Sequence, residues 1–167
     1  MNPSTETVQG RKYEFKAEEF GAEQYSLSGD ATARSVRLLR KAAMSIIFDQ
    51  VLEGDVTYSF ELSLQEACAN VVKHAYGEDG EGALCVCLCI VPERSIGFEV
   101  VDKGCGFQCP GGCMEPPKEG ATNGRGLLIM SQAADSFSVR QEQGRNIVSV
   151  DMLVPPEAWK HNGDDAV

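Results

Sequence analysis

Two apolar runs separated by a short turn constrain this chain more than any other feature. Ala83–Val91 (ALCVCLCIV) is nearly unbroken and of strand length, residues 96–101 (IGFEVV) form a second such run, and Pro92-Glu93-Arg94-Ser95 is the turn between them. The pair reads as a β-hairpin. Residues 137–140 and 147–154, around Gln143-Gly144, read as a closing hairpin. Adjacent antiparallel strands of this kind argue against a regular βαβ alternation.

Two helix patterns precede the first hairpin. Residues 31–52 carry Val36, Leu38, Leu39, Ala42, Ile46 and Ile47 with no Gly or Pro, and Asp30 is placed to cap them. Gly54-Asp55 reads as the close of that helix, and a second runs over about 59–76 to Gly77. Apolar hints at Tyr13, Phe15, Tyr25 and Leu27 fit a strand ending near Ser28, and 127–134 read as a short helix after Gly-Arg-Gly. The expected architecture is a single α+β domain. It would be a two-layer α/β sandwich, with a mixed, mostly antiparallel sheet and helices on one face.

A length of 167 residues allows one such domain and little more. We expect a flexible start over 1–12, the domain over 13–154, and a flexible, polar tail over 155–167. Residues 104–124, rich in Gly, Pro and Cys, show no periodicity, as expected of a functional lid or a disordered stretch. A net charge of −10 argues against bulk affinity for nucleic acid or an anionic membrane. No run approaches a membrane span and the start has no apolar signal core, so a cytoplasmic protein is expected.

The seven cysteines include no C-x-x-C pair. Cys85, Cys87 and Cys89 alternate and so share one strand face. They read as reduced, small hydrophobes. Cys105, Cys109 and Cys113 recur every fourth residue from the start of the 104–124 segment, a spacing compatible with metal binding or redox sensing that chance explains better.

Three short patterns carry polar groups in places where chemistry can occur. On the second helix, α-helical geometry sets Asn70, Ser63, Lys73 and His74 within about 80° of Glu66, opposite Leu64, Ala67, Cys68, Val71 and Ala75. A solvated helix face would give the same pattern. Asp102 ends an apolar strand and is followed by Gly104 and Gly106, which let backbone approach a ligand or simply make a tight turn. Gly124-Arg125-Gly126 opens a helix at Leu127, where unpaired N–H groups suit an anion. The third glycine of a dinucleotide fingerprint is replaced by Cys109, and no P-loop motif occurs.

Taken in order, E-x-x-x-N (Glu66, Asn70), D-x-G-x-G (Asp102, Gly104, Gly106) and a late G-x-G (Gly124, Gly126) resemble the boxes of the GHKL, or histidine-kinase-like, ATPase superfamily. QEACANVVKHAY, FEVVDKGCGF and NGRGLLIM resemble more narrowly the bacterial anti-sigma factor serine/threonine kinases. The resemblance spans about residues 31–154 and implies the Bergerat ATPase fold, with ATP and Mg²⁺ as cofactors.

By that resemblance Asn70 would hold the metal and Glu66 would act as general base toward the attacking hydroxyl. Asp102 would accept from the adenine amino group, beside Gly104 and Gly106. Gly124, Arg125, Gly126 and Leu127 would close on the phosphates, with residues 104–124 as the ATP lid. Lys73 and His74 share the Glu66 arc, and for His74 capping or packing is the simpler role. The implied activity is transfer of a phosphoryl group to a serine or threonine of an anti-anti-sigma antagonist, with sequestration of a sigma factor, by a homodimer. The alternative is a nucleotide-gated binding module with little transfer activity. Arg34, Arg37 and Lys41 form a basic stripe on the first helix, either a solvated face or a dock for an acidic partner.

Overall fold

A computed structural model of the protein describes residues 21–76, 81–105 and 125–161. Five strands form one sheet: β1 (Glu23–Asp30), β2 (Ala83–Val91), β3 (Ser95–Asp102), β4 (Ser136–Glu142) and β5 (Arg145–Leu153), in the order β1-β2-β3-β5-β4. All four pairings are antiparallel, so the described sheet lacks the parallel part expected of a mixed one. The β4–β5 turn places Gln143 at φ 50° and Gly144 at φ 73°, the left-handed pair that lets a two-residue hairpin follow the strand twist.

Three helices, α1 (Ala33–Gln50), α2 (Asp55–Asn70) and α3 (Arg125–Ala133), cover one face. Strand alternation decides what they cover. Leu84, Val86, Leu88 and Ile90 of β2 and Ile96, Phe98 and Val100 of β3 are buried with Ile47, Phe60, Leu64 and Met130 from the helices. Phe60 of α2 meets Phe98 edge-on, with ring centroids 5.3 Å apart at 89°. Cys68 is buried in the same layer, and burial pushes its thiol up to about 12 against the opposing pull of Arg40. That thiol stays protonated and packs as an apolar group.

Several boundaries differ from the sequence reading. Asp30 does not cap α1: it pairs with Ala83 as the last residue of β1. Thr32 is the cap, its side chain accepting from the Ser35 amide at 3.2 Å. Gly54-Asp55 opens α2 rather than closing α1, and the Thr57 hydroxyl accepts from the Gly54 amide at 2.9 Å. Past Asn70 the helix widens into a π-helical turn, Val71–Ala75. The third helix already includes Arg125 and Gly126, ahead of the expected opening at Leu127.

The tail is docked as far as Trp159. Pro156–Ala158 make one 3₁₀ turn and Trp159 is buried, forming a β-bridge with Val51. Flanking backbone bonds run from Leu52 N–H to the Ala158 carbonyl and from Lys160 N–H to the Gln50 carbonyl, each 2.8 Å. The short polar stretch after Pro155-Pro156 hid this, because a single Trp gives no periodic signal.

The alternating cysteines do share a face, but it is the one turned away from the helices. Cys85, Cys87 and Cys89 are half-buried there while their even-numbered neighbours fill the core. No described helix is long and apolar enough to cross a membrane.

Candidate functional site

The site is assembled where α2, the end of β3 and the start of α3 converge. Glu66 and Asn70 stand one turn apart on α2, half-exposed, while Phe60, Leu64, Ala67 and Cys68 fix the opposite side of the helix in the core. Gly126, buried in the first turn of α3, lies directly against this pair. A Cβ at Gly126 would sit 2.8 Å from Glu66 Oε2 and 3.6 Å from Asn70 Nδ2. The missing side chain therefore sets how closely α3 approaches the two polar groups, and the first-turn N–H groups of a helix have no partner within it. Arg125 is exposed beside Gly126, and Leu127 packs partly against the core.

Asp102 reaches the same region by strand alternation. It is the last core-facing position of β3, after Ile96, Phe98 and Val100, and is only 5% exposed. A carboxylate so deeply set needs hydrogen-bond donors. Its Oδ1 accepts from the Gly104 amide and from Asn146 Nδ2, both at 2.8 Å. Asn146 lies directly opposite Asp102 in the β3–β5 register, and its Nδ2 also donates to the Gly104 carbonyl at 3.3 Å.

The π turn holds the other side of the strand end. Cys105 N–H donates to the Ala75 carbonyl at 2.8 Å, and Cys105 Sγ to the His74 carbonyl at 3.3 Å. Tyr76 bridges two strands, its hydroxyl donating to the Ala83 carbonyl at 2.5 Å and accepting from Lys103 N–H at 3.1 Å. A Cβ at Gly104 would come within 2.1 Å of the Ala75 carbonyl oxygen, so this glycine admits the end of α2. Lys73 and His74 point their side chains to solvent from the π turn. From Val71 the π turn rotates less per residue than an α-helix, so the angles of Lys73 and His74 relative to Glu66 differ from those of the α-helical projection.

Of the residues expected at the site, the structure brings Glu66, Asn70 and Gly126 together and sets Asp102 and Gly104 at the strand end. Gly106, Gly124, Cys109, Cys113 and nearly all of the expected lid lie outside the described residues. Asn146 and Tyr76 were missed. Asn146 had a readable signal: it is in step with Val148, Val150 and Met152, a polar side chain at a core position.

The profile of the histidine kinase-like ATPase domain matches residues 29–152. The chain belongs to that family. Among curated relatives it is 24% identical over 135 residues to the serine-protein kinase RsbW of Bacillus thuringiensis (strain Al Hakam), covering 75% of this chain and 82% of that one. It is 27% identical over 89 residues to the anti-sigma F factor of Clostridium acetobutylicum, covering 51% of this chain and 61% of that one. The fold resembles a crystal structure of the RsbU and RsbW domains of a Mycobacterium tuberculosis protein, with a TM-score of 0.58 at 15% identity over 78% of this chain. The match spans 32% of that longer protein.

The donor set suits the nucleotide that such a domain takes. Asn70 offers an amide, and Gly126 brings α3 against Glu66 and Asn70 with no side chain between them. Among the described residues no group of three or more His, Cys, Asp or Glu is arranged to hold a metal ion. Asn70 would be the residue to hold a divalent cation here, and the cation would supply positive charge to offset phosphate.

Proposed function

We propose that this domain binds ATP with Mg²⁺ between α2, the end of β3 and α3, and transfers the γ-phosphoryl group to a serine or threonine hydroxyl of a small antagonist protein. The observation that carries this reading is the convergence of Glu66, Asn70 and Gly126. A carboxylate and an amide on one helix meet the described start of another at a separation that an added Cβ would crowd.

In this reading Asn70 holds the metal, whose charge neutralises the phosphates, and the first turn of α3, from Arg125 through Leu127, receives their oxygens. Glu66 accepts the proton of the attacking hydroxyl. Asp102 Oδ1 is already engaged by Asn146 and Gly104, and we assign Oδ2 to the adenine amino group. Phosphoryl transfer requires chiefly positioning and charge stabilisation, and these residues supply both. The names of the relatives, a serine-protein kinase and an anti-sigma factor, support the protein-kinase form of the activity and its place in a partner switch.

The basic stripe of α1 supports the docking of an acidic partner. Arg34, Arg37 and Lys41 are all exposed, and Leu38 between them is 58% exposed on a chain of net charge −10. We assign this surface to the antagonist or the sigma factor, and a homodimer as the working unit.

Calorimetry with ATP and ADP, in Mg²⁺ and in EDTA, tests the binding step. Mg²⁺-dependent ATP binding that weakens in Asn70→Ala is expected, whereas a folded protein that binds neither nucleotide overturns the proposal. For transfer, Glu66→Ala should retain binding and lose phosphorylation of an identified partner. Transfer by that variant at the wild-type rate removes Glu66 from the base role.

A further inference from the structure

The β2–β3 ladder ends one rung earlier than its backbone allows. The register closes with Leu84 opposite Asp102, which sets Ala83 opposite Lys103 at the next rung. On the β1 side of the same strand, the Gly82 carbonyl accepts from Ala31 N–H at 2.7 Å. Hydrogen-bonding groups alternate from one side of a strand to the other at successive residues, so the Ala83 carbonyl faces β3 and Lys103 N–H. The Tyr76 hydroxyl occupies the place of that bond. It donates to the Ala83 carbonyl at 2.5 Å and accepts from Lys103 N–H at 3.1 Å.

Two glycines make room for this insertion. A Cβ on Gly82 would fall 2.1 Å from Cε1 and Cζ of the Tyr76 ring, so the ring lies directly against the Gly82 backbone. A Cβ on Gly104 would meet the Ala75 carbonyl oxygen equally closely, at 2.1 Å. Residues 75 and 76 therefore sit between the ends of β2 and β3 at a depth that any side chain on these two glycines would prevent.

We propose that Tyr76 is a positioning residue for selection of the nucleotide base. By parting the ladder at Lys103, it lets the chain turn immediately after Asp102. That turn returns the Gly104 amide to Asp102 Oδ1 at 2.8 Å and brings the Gly104 carbonyl within 3.3 Å of Asn146 Nδ2. An extended strand carries a residue two positions on about 6–7 Å away. Were β3 to continue along β2, Asp102 Oδ1 would lose one of its two donors, and the carboxylate would lose the hold that turns Oδ2 toward the base.

The inference rests on the reading that Asp102 accepts from the adenine amino group. Adenine presents a donor at that position, whereas guanine presents its O6 acceptor, which a carboxylate repels. A well-fixed carboxylate therefore separates the two bases more sharply than a mobile one. The role is separable from phosphoryl transfer, because Glu66, Asn70 and Gly126 meet one another without Tyr76.

The test measures ATP and GTP binding to the full chain by calorimetry in Mg²⁺, for the wild type, Tyr76→Phe, Gly82→Ala and Asp102→Asn. Tyr76→Phe keeps the ring on Gly82 and removes only the hydroxyl, while Gly82→Ala displaces the ring itself. Thermal melts establish that each variant is folded. In both Tyr76→Phe and Gly82→Ala we expect ATP affinity to fall roughly ten-fold, the order of one hydrogen bond to a charged group, with GTP affinity nearly unchanged. Single-turnover transfer at saturating ATP should stay at the wild-type rate. Asp102→Asn offers an amide that can donate to guanine O6, so its preference for ATP should collapse.

A ratio of ATP to GTP affinity unchanged in Tyr76→Phe, or a loss shared equally by the two nucleotides, overturns the proposal. Asp102→Asn separates that failure from failure of the reading beneath it. A ratio that collapses in Asp102→Asn but holds in Tyr76→Phe removes Tyr76 alone. A ratio that holds in Asp102→Asn removes Asp102 from base recognition, and the role of Tyr76 with it.

Discussion

The Glu66 carboxylate occupies the space into which a Cβ on Gly126 would project, 2.8 Å from its ideal position. The atom in the way is the far end of a flexible side chain, so Gly126→Ala can be accommodated by moving Glu66. The expected outcome is a fold intact by thermal melting, with nucleotide affinity changed little and phosphoryl transfer reduced on the order of 10²-fold, the cost of a small misplacement of a reacting group. Single-turnover rates set beside calorimetric affinities would check it. Equal losses in binding and transfer would contradict it.

Gly104→Ala should behave in the opposite way. Its Cβ would meet the Ala75 carbonyl oxygen at 2.1 Å and the carbonyl carbon at 2.4 Å, and backbone at the end of a helix has nowhere to go. A loss of stability of about 1–3 kcal/mol is expected from overpacking. Denaturant melts measure it, and a variant as stable as the wild type would show that the strand end is not clamped to the π turn.

Asn146 is expected to act on both stability and base selectivity. Its amide donates to the buried Asp102 Oδ1 at 2.8 Å. Asn146→Ala leaves a buried carboxylate short of a donor, a cost of about 1–3 kcal/mol. If Asp102 reads the adenine amino group, the variant should also narrow the preference for ATP over GTP. Competition binding with the two nucleotides reports this, and an unchanged preference at reduced stability would confine Asn146 to a structural role.

Asp151 gives the protein a pH-dependent stability. Its carboxyl lies across Gly97 on the outer sheet face, where a Cβ would fall 2.4 Å from Oδ1. Burial and then the Glu99 charge push it from 3.8 up to about 7, with Arg94 pulling it down and Asp135 adding to the rise. An acid whose folded pKa lies above its unfolded value binds its proton more tightly when folded. Stability from this group should therefore fall as pH rises through that interval, with the loss complete above about 7. Asp151→Asn should melt higher than the wild type near about pH 8, by about 1–3 kcal/mol, and its profile should be flatter. Parallel profiles for the two proteins would refute the assignment.

The strand pairs and the three polar patterns were legible because each is local. A nearly unbroken apolar run of strand length over Ala83–Val91 marks a strand, and a carboxylate and amide four residues apart mark one helix face. Other features depended on distant partners. Asp30 and Thr32 are both good caps, and the choice fell to Thr32 because Asp30 pairs with Ala83 across the sheet. The π turn was invisible because α and π turns draw on the same residues, so Lys73 and His74 were projected with α-helical angles that the turn does not keep. The cysteine row was assigned a shared face correctly, but the larger side chains of Leu84, Val86, Leu88 and Ile90 take the core side and leave the thiols outside. Asn146 could have been found by asking which polar residue interrupts a core-facing row.

The bridge between Val51 and Trp159 ties the α1–α2 corner to a segment more than a hundred positions further along the chain. A polypeptide emerging from the ribosome can therefore form α1, α2 and the first hairpin while this corner of the apolar layer is still open to water. Only when residues 158–160 have cleared the exit tunnel can the indole seal it, so construction of the domain finishes at the joint between its first two helices.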